Sequence, residues 1–460
     1  MANREVEIAV IGMGVAGIAT AYYLCTQYKK SSVLLIDSRP PLSFTSAQSG
    51  DNYRNWWPQS TMVSFTDYSI DLMEQLALES SNVLNMTRRG YVLATRRTEI
   101  DDLIGDLISA AGDTGQDRIR YHDSSSSELY QPPVSADWQE APDGVDVLSN
   151  QDLIRKTFPS FTTDIANVIH IRRAGSLSGQ QMGQYMLERI RDAGGKRMVG
   201  EVNGIKHSNK FVIDVAAPDG RERVNADIVV NAAGPFAKHV AAMLGSDLPI
   251  ENVFQQKIAF DDELNAIPRN LPFAIDLDEQ VLAWTPDERE MLADDPEMAW
   301  LTKPISGVTH CRPDGGDAGT WVKLGWAYNE KISEPQRDLA NEPLFNMQFP
   351  EIVLRGAAAL NPALKKYAES FPARWTHYGG YYPMTRENWP LIGPDAVQGS
   401  FVVGALSGFG SMSACAAGAM VAAWIADGDL PEYANQLSPA RYDDHDLMAQ
   451  IRSVANKGIL

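Results

Sequence analysis

Three glycines, Gly12, Gly14 and Gly17, stand between an apolar run at residues 8–11 and a helix-like stretch at 18–24. A second apolar run, 32–36, ends on Asp37, twenty residues past Gly17. These residue types at this spacing are suited to cradling a dinucleotide. Gly12 permits a tight turn, Gly14 lets the backbone approach a pyrophosphate, and Gly17 lets helix and strand pack closely. The helix start, with Val15 and Ala16, presents N–H groups and a positive dipole end to phosphates. Asp37 can accept both ribose hydroxyls of an adenosine. The motif alone does not choose between NAD and FAD.

The elements that must hold these residues form a βαβ unit within residues 1–88, followed by a helix with Leu72, Leu76 and Leu78 on its apolar side. Residues 90–95 read as a strand and 101–111 as a helix. From 113 to 144 the chain turns polar, with serines at 124–127 and Pro132-Pro133, which reads as a solvated surface insertion. Residues 180–193 have helical spacing, and 199–205, 211–215 and 226–230 read as strands. The last delivers the chain to Asn231-Ala232-Ala233-Gly234-Pro235, a small-residue turn that lets the backbone lie close to a ligand.

The stretch 246–374 is richer in Pro, Trp and charge. It reads as a second, mixed domain with a strand at 319–327 and a helix at 352–360. Near the end, a strand at 401–405 enters Leu406-Ser407-Gly408-Phe409-Gly410-Ser411 and a small-residue helix at 412–427. Glycines after a strand and before a helix let the backbone lie against a flat ring, and the helix start favours negative charge developing there. Ser407 lacks the flanking glycines of a serine-hydrolase elbow.

Composition narrows the classes. A chain of 460 residues that is 44% hydrophobic can bury a large core and divide into two domains. A formal charge of −19 argues against nucleic acid or an anionic membrane as partner. A first strand beginning by about residue 5 leaves no room for a signal or transit peptide. The longest small-apolar run, 414–426, is about half a membrane span, and Gly458-Ile459-Leu460 is not a peroxisomal signal. Cys25, Cys311 and Cys415 are far apart, which suits a reducing cytoplasm rather than a disulfide framework. The seven histidines are scattered, so no metal is expected.

The opening, the 231–235 turn and the tail from Gly379-Gly380-Tyr381-Tyr382-Pro383 through Asn388-Trp389-Pro390-Leu391 to Met412 carry a resemblance. In these features the chain resembles the FAD-dependent D-amino-acid oxidase superfamily, and within it the glycine oxidase and sarcosine oxidase branch. That resemblance implies an α/β fold with a Rossmann-like FAD-binding domain discontinuous in sequence, at 1–88, 152–245 and 375–460. A mixed, α+β substrate domain with an antiparallel sheet would comprise 89–151 and 246–374.

It also implies roles residue by residue. Gly12, Gly14, Gly17 and Asp37 would hold ADP, with Ser38 and Arg39 near the adenosine and Ser46 near the phosphates. Ser49 and Gly50 open a segment, 49–54, that would run along the isoalloxazine. Val202 would meet adenine through its backbone, and Ala233-Gly234 would turn over the pyrophosphate. Gly408, Phe409, Gly410, Ser411 and Met412 would fall at the flavin. Lys323, within Trp321-Val322-Lys323-Leu324-Gly325-Trp326, resembles the branch's lysine that sits over the flavin and activates oxygen. A buried cation there would stabilise superoxide as it forms; a strand lysine reaching to solvent is the other reading. Tyr382 matches a substrate-pocket tyrosine, or Tyr381 and Tyr382 are a strand pair with one ring buried.

The departures from the branch are specific. Gly380 stands where sarcosine oxidases tether FAD through cysteine, and no histidine lies between Asp37 and Trp57. FAD is therefore expected to be non-covalent. Met412 replaces a lysine and Ala327 a pocket histidine. The implied reaction is oxidation of the C–N bond of an amino acid, an N-substituted amino acid or an amine, with oxygen as acceptor and peroxide as product. Arg54 and Arg386 are candidates for holding a carboxylate, although Arg386 reads more simply as a surface or interdomain salt-bridge residue. A flavin dehydrogenase acting on an amine or 2-hydroxy acid and a flavin-containing assembly protein are the alternatives. An NAD-dependent enzyme sits poorly with the tail.

Overall fold

Ile8, Ala9 and Val10 expose no surface. The strand that carries them, Ala2–Ile11, is paired in parallel on both edges, with Val33–Asp37 and with Gly220–Asn231. A strand flanked on both edges and covered on both faces reads as a continuous apolar run rather than an alternation. It forms the centre of an eight-stranded sheet. The computed structural model describes residues 2–112, 115–124, 130–133, 138–316, 318–340 and 344–454. The serines at 125–127 and the final Gly458-Ile459-Leu460 lie outside the described residues.

The first helix, Val15–Thr26, is buried on nearly every side, between Gly179–Asp192 and Gly410–Ile425. A Cβ added to Gly418 would come 2.6 Å from the backbone of Ala19 and Thr20. The two helix backbones therefore touch, which is why 410–425 is built of alanine, glycine and serine. The apolar stretch is longer than the run read from the sequence. Ser407–Ile425 has the length and composition to cross a membrane, and 78% of it is buried inside the fold.

The strand expected at 199–205 is two strands. Lys196–Val199 pairs with Val33–Asp37, and Glu201–His207 opens an antiparallel meander with Phe211–Ala217 and Gly220–Asn231. The break falls at Gly200, whose N–H donates to the Asp37 carbonyl at 2.8 Å. From the chain's far end, Ser400–Gly404 adds in parallel beside Gly220–Asn231.

A second sheet has nine strands. In spatial order they are Trp375–Met384, Glu251–Asp261, Trp321–Gly325, Thr309–Asp314, Phe273–Asp276, Tyr91–Thr95, Asn167–Ile171, Val145–Leu148 and Ile119–His122. The pairing is antiparallel except at two junctions. Helix Phe349–Leu360 shares a buried core with this sheet. Asn167–Ile171 and Trp375–Met384, grouped by sequence with the dinucleotide-binding segments, belong to this second sheet instead. The reason is pairing at long range. Trp375–Met384 runs antiparallel to Glu251–Asp261 from Phe260–Trp375 to Glu251–Met384, a partnership with no local signature.

Candidate active site

The glycine turn is close-packed. Gly12 has φ +116°, and a Cβ there would sit 2.2 Å from the Ala232 carbonyl oxygen; one on Gly17 would sit 2.1 Å from the Gly12 oxygen. Only glycine satisfies both contacts. Asn231 holds the facing turn, donating from Nδ2 to the Ala237 carbonyl (2.8 Å) and accepting from the Ala233 N–H (3.3 Å). Asp37 accepts from the Met13 N–H (2.7 Å) and the Arg39 N–H (2.9 Å), one on each oxygen. A carboxylate keeps further lone pairs beyond these two. Ser46 Oγ accepts from the Val15 N–H at the helix start (3.1 Å).

Gly12, Met13, Val15, Asp37, Arg39, Ser46 and Ala233 line one cavity, together with Ser38, Val202, Gly14, Gly234, Leu406 and Gly410. Arg39 lies along it, its guanidinium 4.3 Å from the centre of the Phe44 ring. A backbone cradle that any Cβ would fill, ending on a carboxylate, fits the ADP half of FAD.

The cavity meets a second one at Ser407, which lines both. Ala405 (φ +52°) and Ser407 (φ +46°) hold left-handed backbone conformations that L side chains rarely adopt. Their strain marks the turn that joins the two spaces. The second cavity holds about 390 Å³, within the range of small-molecule sites. Ser49, Gly50, Gly408, Phe409, Ser411 and Met412 line it, as do Arg54, Lys323 and Tyr382.

Lys323 sits with its Nζ 3.3 Å from Asp314 Oδ2. Burial, and then the nearby Arg312, lower its pKa. Burial pushes Asp314 up, but Arg312 and Lys323 outweigh it and hold the carboxyl below its usual range. Arg312 also clamps the Gly50 carbonyl with Nη2 (2.8 Å) and Nε (3.2 Å). Asp51, at φ +56°, has its pKa raised by burial against the pull of Lys323 and Arg312. Arg54 is 1% exposed, its guanidinium 4.6 Å from the Trp57 ring centre, and burial pushes its pKa down to about 10. Tyr382 Oη accepts from Lys257 Nζ at 3.2 Å. A Cβ on Gly408 would meet the Tyr382 ring at 2.5 Å. Tyr381 is the buried member of the strand pair, packed on Phe254.

Gly380 faces Gln48 and Thr45 rather than either cavity, because its strand turns that face to the short helix Thr45–Gln48. Arg386 makes no ion pair among the described residues and stands exposed on the cavity lining. Sequence reasoning missed Arg312, Lys257 and His310, all of which line the second cavity. The local sequence offered no signal for Lys257: polar Gln256 lies between Gln255 and Lys257 in strand Glu251–Asp261, so no alternation sets the cavity face apart.

An elongated dinucleotide cradle that opens, at the chain's far end, onto a cavity lined by buried cations defines a flavoprotein built on a two-sheet fold. The DAO family of FAD dependent oxidoreductases matches residues 7–424, and the chain belongs to it. Mitochondrial dimethylglycine dehydrogenase of Mus musculus is 23% identical over 444 residues, covering 95% of this chain and 44% of that protein. The chain thus spans under half the length of that relative. Among solved structures it is similar to L-proline dehydrogenase from P. horikoshii, with a TM-score of 0.70, 18% identity and coverage of 96% and 99% of the two chains. It is also similar to glycine oxidase from Geobacillus kaustophilus, with a TM-score of 0.67, 16% identity and coverage of 95% and 98%.

Proposed function

We propose that this FAD-dependent oxidoreductase oxidises the C–N bond of an amino acid or N-substituted amino acid and is reoxidised by oxygen, giving hydrogen peroxide. The observation that carries the reading is the partly buried Lys323 on the wall of the cavity that adjoins the dinucleotide cradle. FAD supplies the two-electron acceptor. Gly12, Gly14, Gly17, Asp37, Ser46 and Ala233-Gly234 would hold its ADP half, and residues 408–412 would border its ring.

Arg54 presents a buried guanidinium to the cavity, suited to a substrate carboxylate. A desolvated site favours the neutral amine, so no dedicated base is required. Lys323 places a positive charge where electrons pass to oxygen. A dehydrogenase with another acceptor is the second reading. It is favoured by the 3.3 Å contact that shares the Lys323 charge with Asp314.

An anaerobic screen of amines and amino acids, followed by flavin bleaching, tests the first step; a panel that bleaches nothing would refute it. Peroxide yield under air then separates oxidase from dehydrogenase.

Two further proposals concern organisation. The two sheets mark a dinucleotide-binding and a substrate-binding unit, which limited proteolysis would test by releasing fragments cut between them. Cytoplasmic residence is supported by Cys25, Cys311 and Cys415, all buried and unpaired. Fractionation of the native host, with the protein found in another compartment, would overturn it.

A further inference from the structure

Strand Glu251–Asp261 lies inside the second sheet, between Trp321–Gly325 and Trp375–Met384. Its alternate residues Val253, Gln255 and Lys257 face the substrate cavity. Lys257 is 7% exposed. Its Nζ reaches the Tyr382 hydroxyl at 3.2 Å and lies 5.2 Å from that ring's centre. No carboxylate among the described residues comes within salt-bridge distance of it. Glu251 and Glu330, which also line the cavity, stand exposed.

His310, close by, adds no competing positive charge. It pairs with Gly325 from one side as Lys257 does from the other, and a Cβ on Gly325 would strike its ring at 2.3 Å. Burial holds it near pKa 4, so the ring is neutral at pH 7. A buried ammonium group that faces a cavity without a counter-ion is costly unless an anion arrives to share its charge. The Tyr382 hydroxyl, which accepts from Lys257, still has its own proton to donate to the same anion.

This position is separate from Arg54. The Arg54 guanidinium lies 5.8 Å from the Tyr91 ring centre, Tyr91 is 4.5 Å from Phe273, and Phe273 is 5.0 Å from His310. Arg54 thus reaches His310 only through Tyr91 and Phe273, all three rings lining the cavity, whereas Lys257 contacts Tyr382.

We propose that Lys257 and the Tyr382 hydroxyl form a second anion subsite, and that the substrate is an N-substituted amino acid bearing a second carboxylate. This rests on the reading of the cavity as an amino-acid site in which Arg54 takes the first carboxylate.

Calorimetric titration of the flavin-loaded protein with succinate, glutarate and adipate, each against its half-amide, tests the subsite without turnover. At least one diacid is expected to bind about tenfold or more tighter than its half-amide. Lys257→Met should abolish that preference while half-amide binding stays within about twofold, the control for folding and for the Arg54 end. Tyr382→Phe, which keeps the lysine, should remove part of the preference. Equal binding of diacids and half-amides to the native protein would overturn the proposal. So would a preference that survives Lys257→Met, or a Lys257→Met protein that loses half-amide binding as well. Failure of the anaerobic amine screen alongside an intact diacid preference would sink the oxidation reading and leave the subsite standing.

Discussion

The hydroxyls of Ser49 and Ser411, 362 residues apart in the chain, lie 2.9 Å from each other. Ser49 Oγ also accepts from the Asp51 N–H at 3.0 Å. The bond ties the segment that leads to Arg54 to the first turn of helix Gly410–Ile425. Both serines line the second cavity, so the contact closes a wall built from the two ends of the chain.

Breaking that contact should loosen the wall. Ser49→Ala and Ser411→Ala are each expected to destabilise the protein by about 1 kcal/mol. The double variant should cost less than the sum, because the two side chains share one bond. Urea unfolding followed by flavin fluorescence measures this; strict additivity would show that the hydroxyls do not cooperate.

Gly12→Ala should produce a protein poor in flavin. At φ +116°, with the Ala232 oxygen 2.2 Å from the new methyl, the turn must shift, at a cost of about 1–3 kcal/mol. The ratio of flavin to protein absorbance after purification reads the effect. A variant that retains the full flavin complement would contradict the backbone cradle.

Lys323→Met should leave anaerobic flavin reduction within a few-fold and slow reoxidation by oxygen about 100-fold. Burial and Arg312 lower the Lys323 pKa, so the cation is present at low pH and is lost on raising pH sooner than for a free lysine. Reoxidation in the native protein should therefore fall with an apparent pKa below about 10.4, and Lys323→Met should lose that limb. Stopped-flow traces with unchanged reoxidation would remove the lysine from the oxygen step.

Stability should drop on mild acidification. Burial lowers the pKa of His170 to about 3 and those of His310 and His377 to about 4. Unfolded histidine binds a proton near 6.5, so these three contribute stability that is full above that pH. It is lost progressively as pH falls toward 4 and then 3. Urea midpoints at pH 7 and pH 5 should differ, and His377→Gln should remove part of the difference. A flat profile across that window would count against their burial as neutral rings.

Much of the cofactor half was legible in the order of residues. Gly17 answers a contact within the turn, with the Gly12 oxygen, while Gly12 answers one with Ala232 far along the chain; Asp37 follows at a distance set by one βαβ unit. The start of the small-residue helix was legible for the same local reason. The substrate half was not. Arg312 and Lys323 lie in strands that pair directly, yet nothing in their own surroundings in the sequence announces the shared Asp314. Trp375–Met384 pairs along its whole length with Glu251–Asp261, and only that partner defines which sheet holds it.

The sequence by itself determined the first wall of the dinucleotide cradle, because a turn, a helix start and an acid, all between Gly12 and Asp37, are local geometry. Only the tertiary structure decided which cations share a cavity, that Tyr382 faces it while Tyr381 is buried, and that Gly380 turns away. Those outcomes depend on sheet register, and a register is fixed by two strands together, with each one-residue step reversing the face a side chain presents.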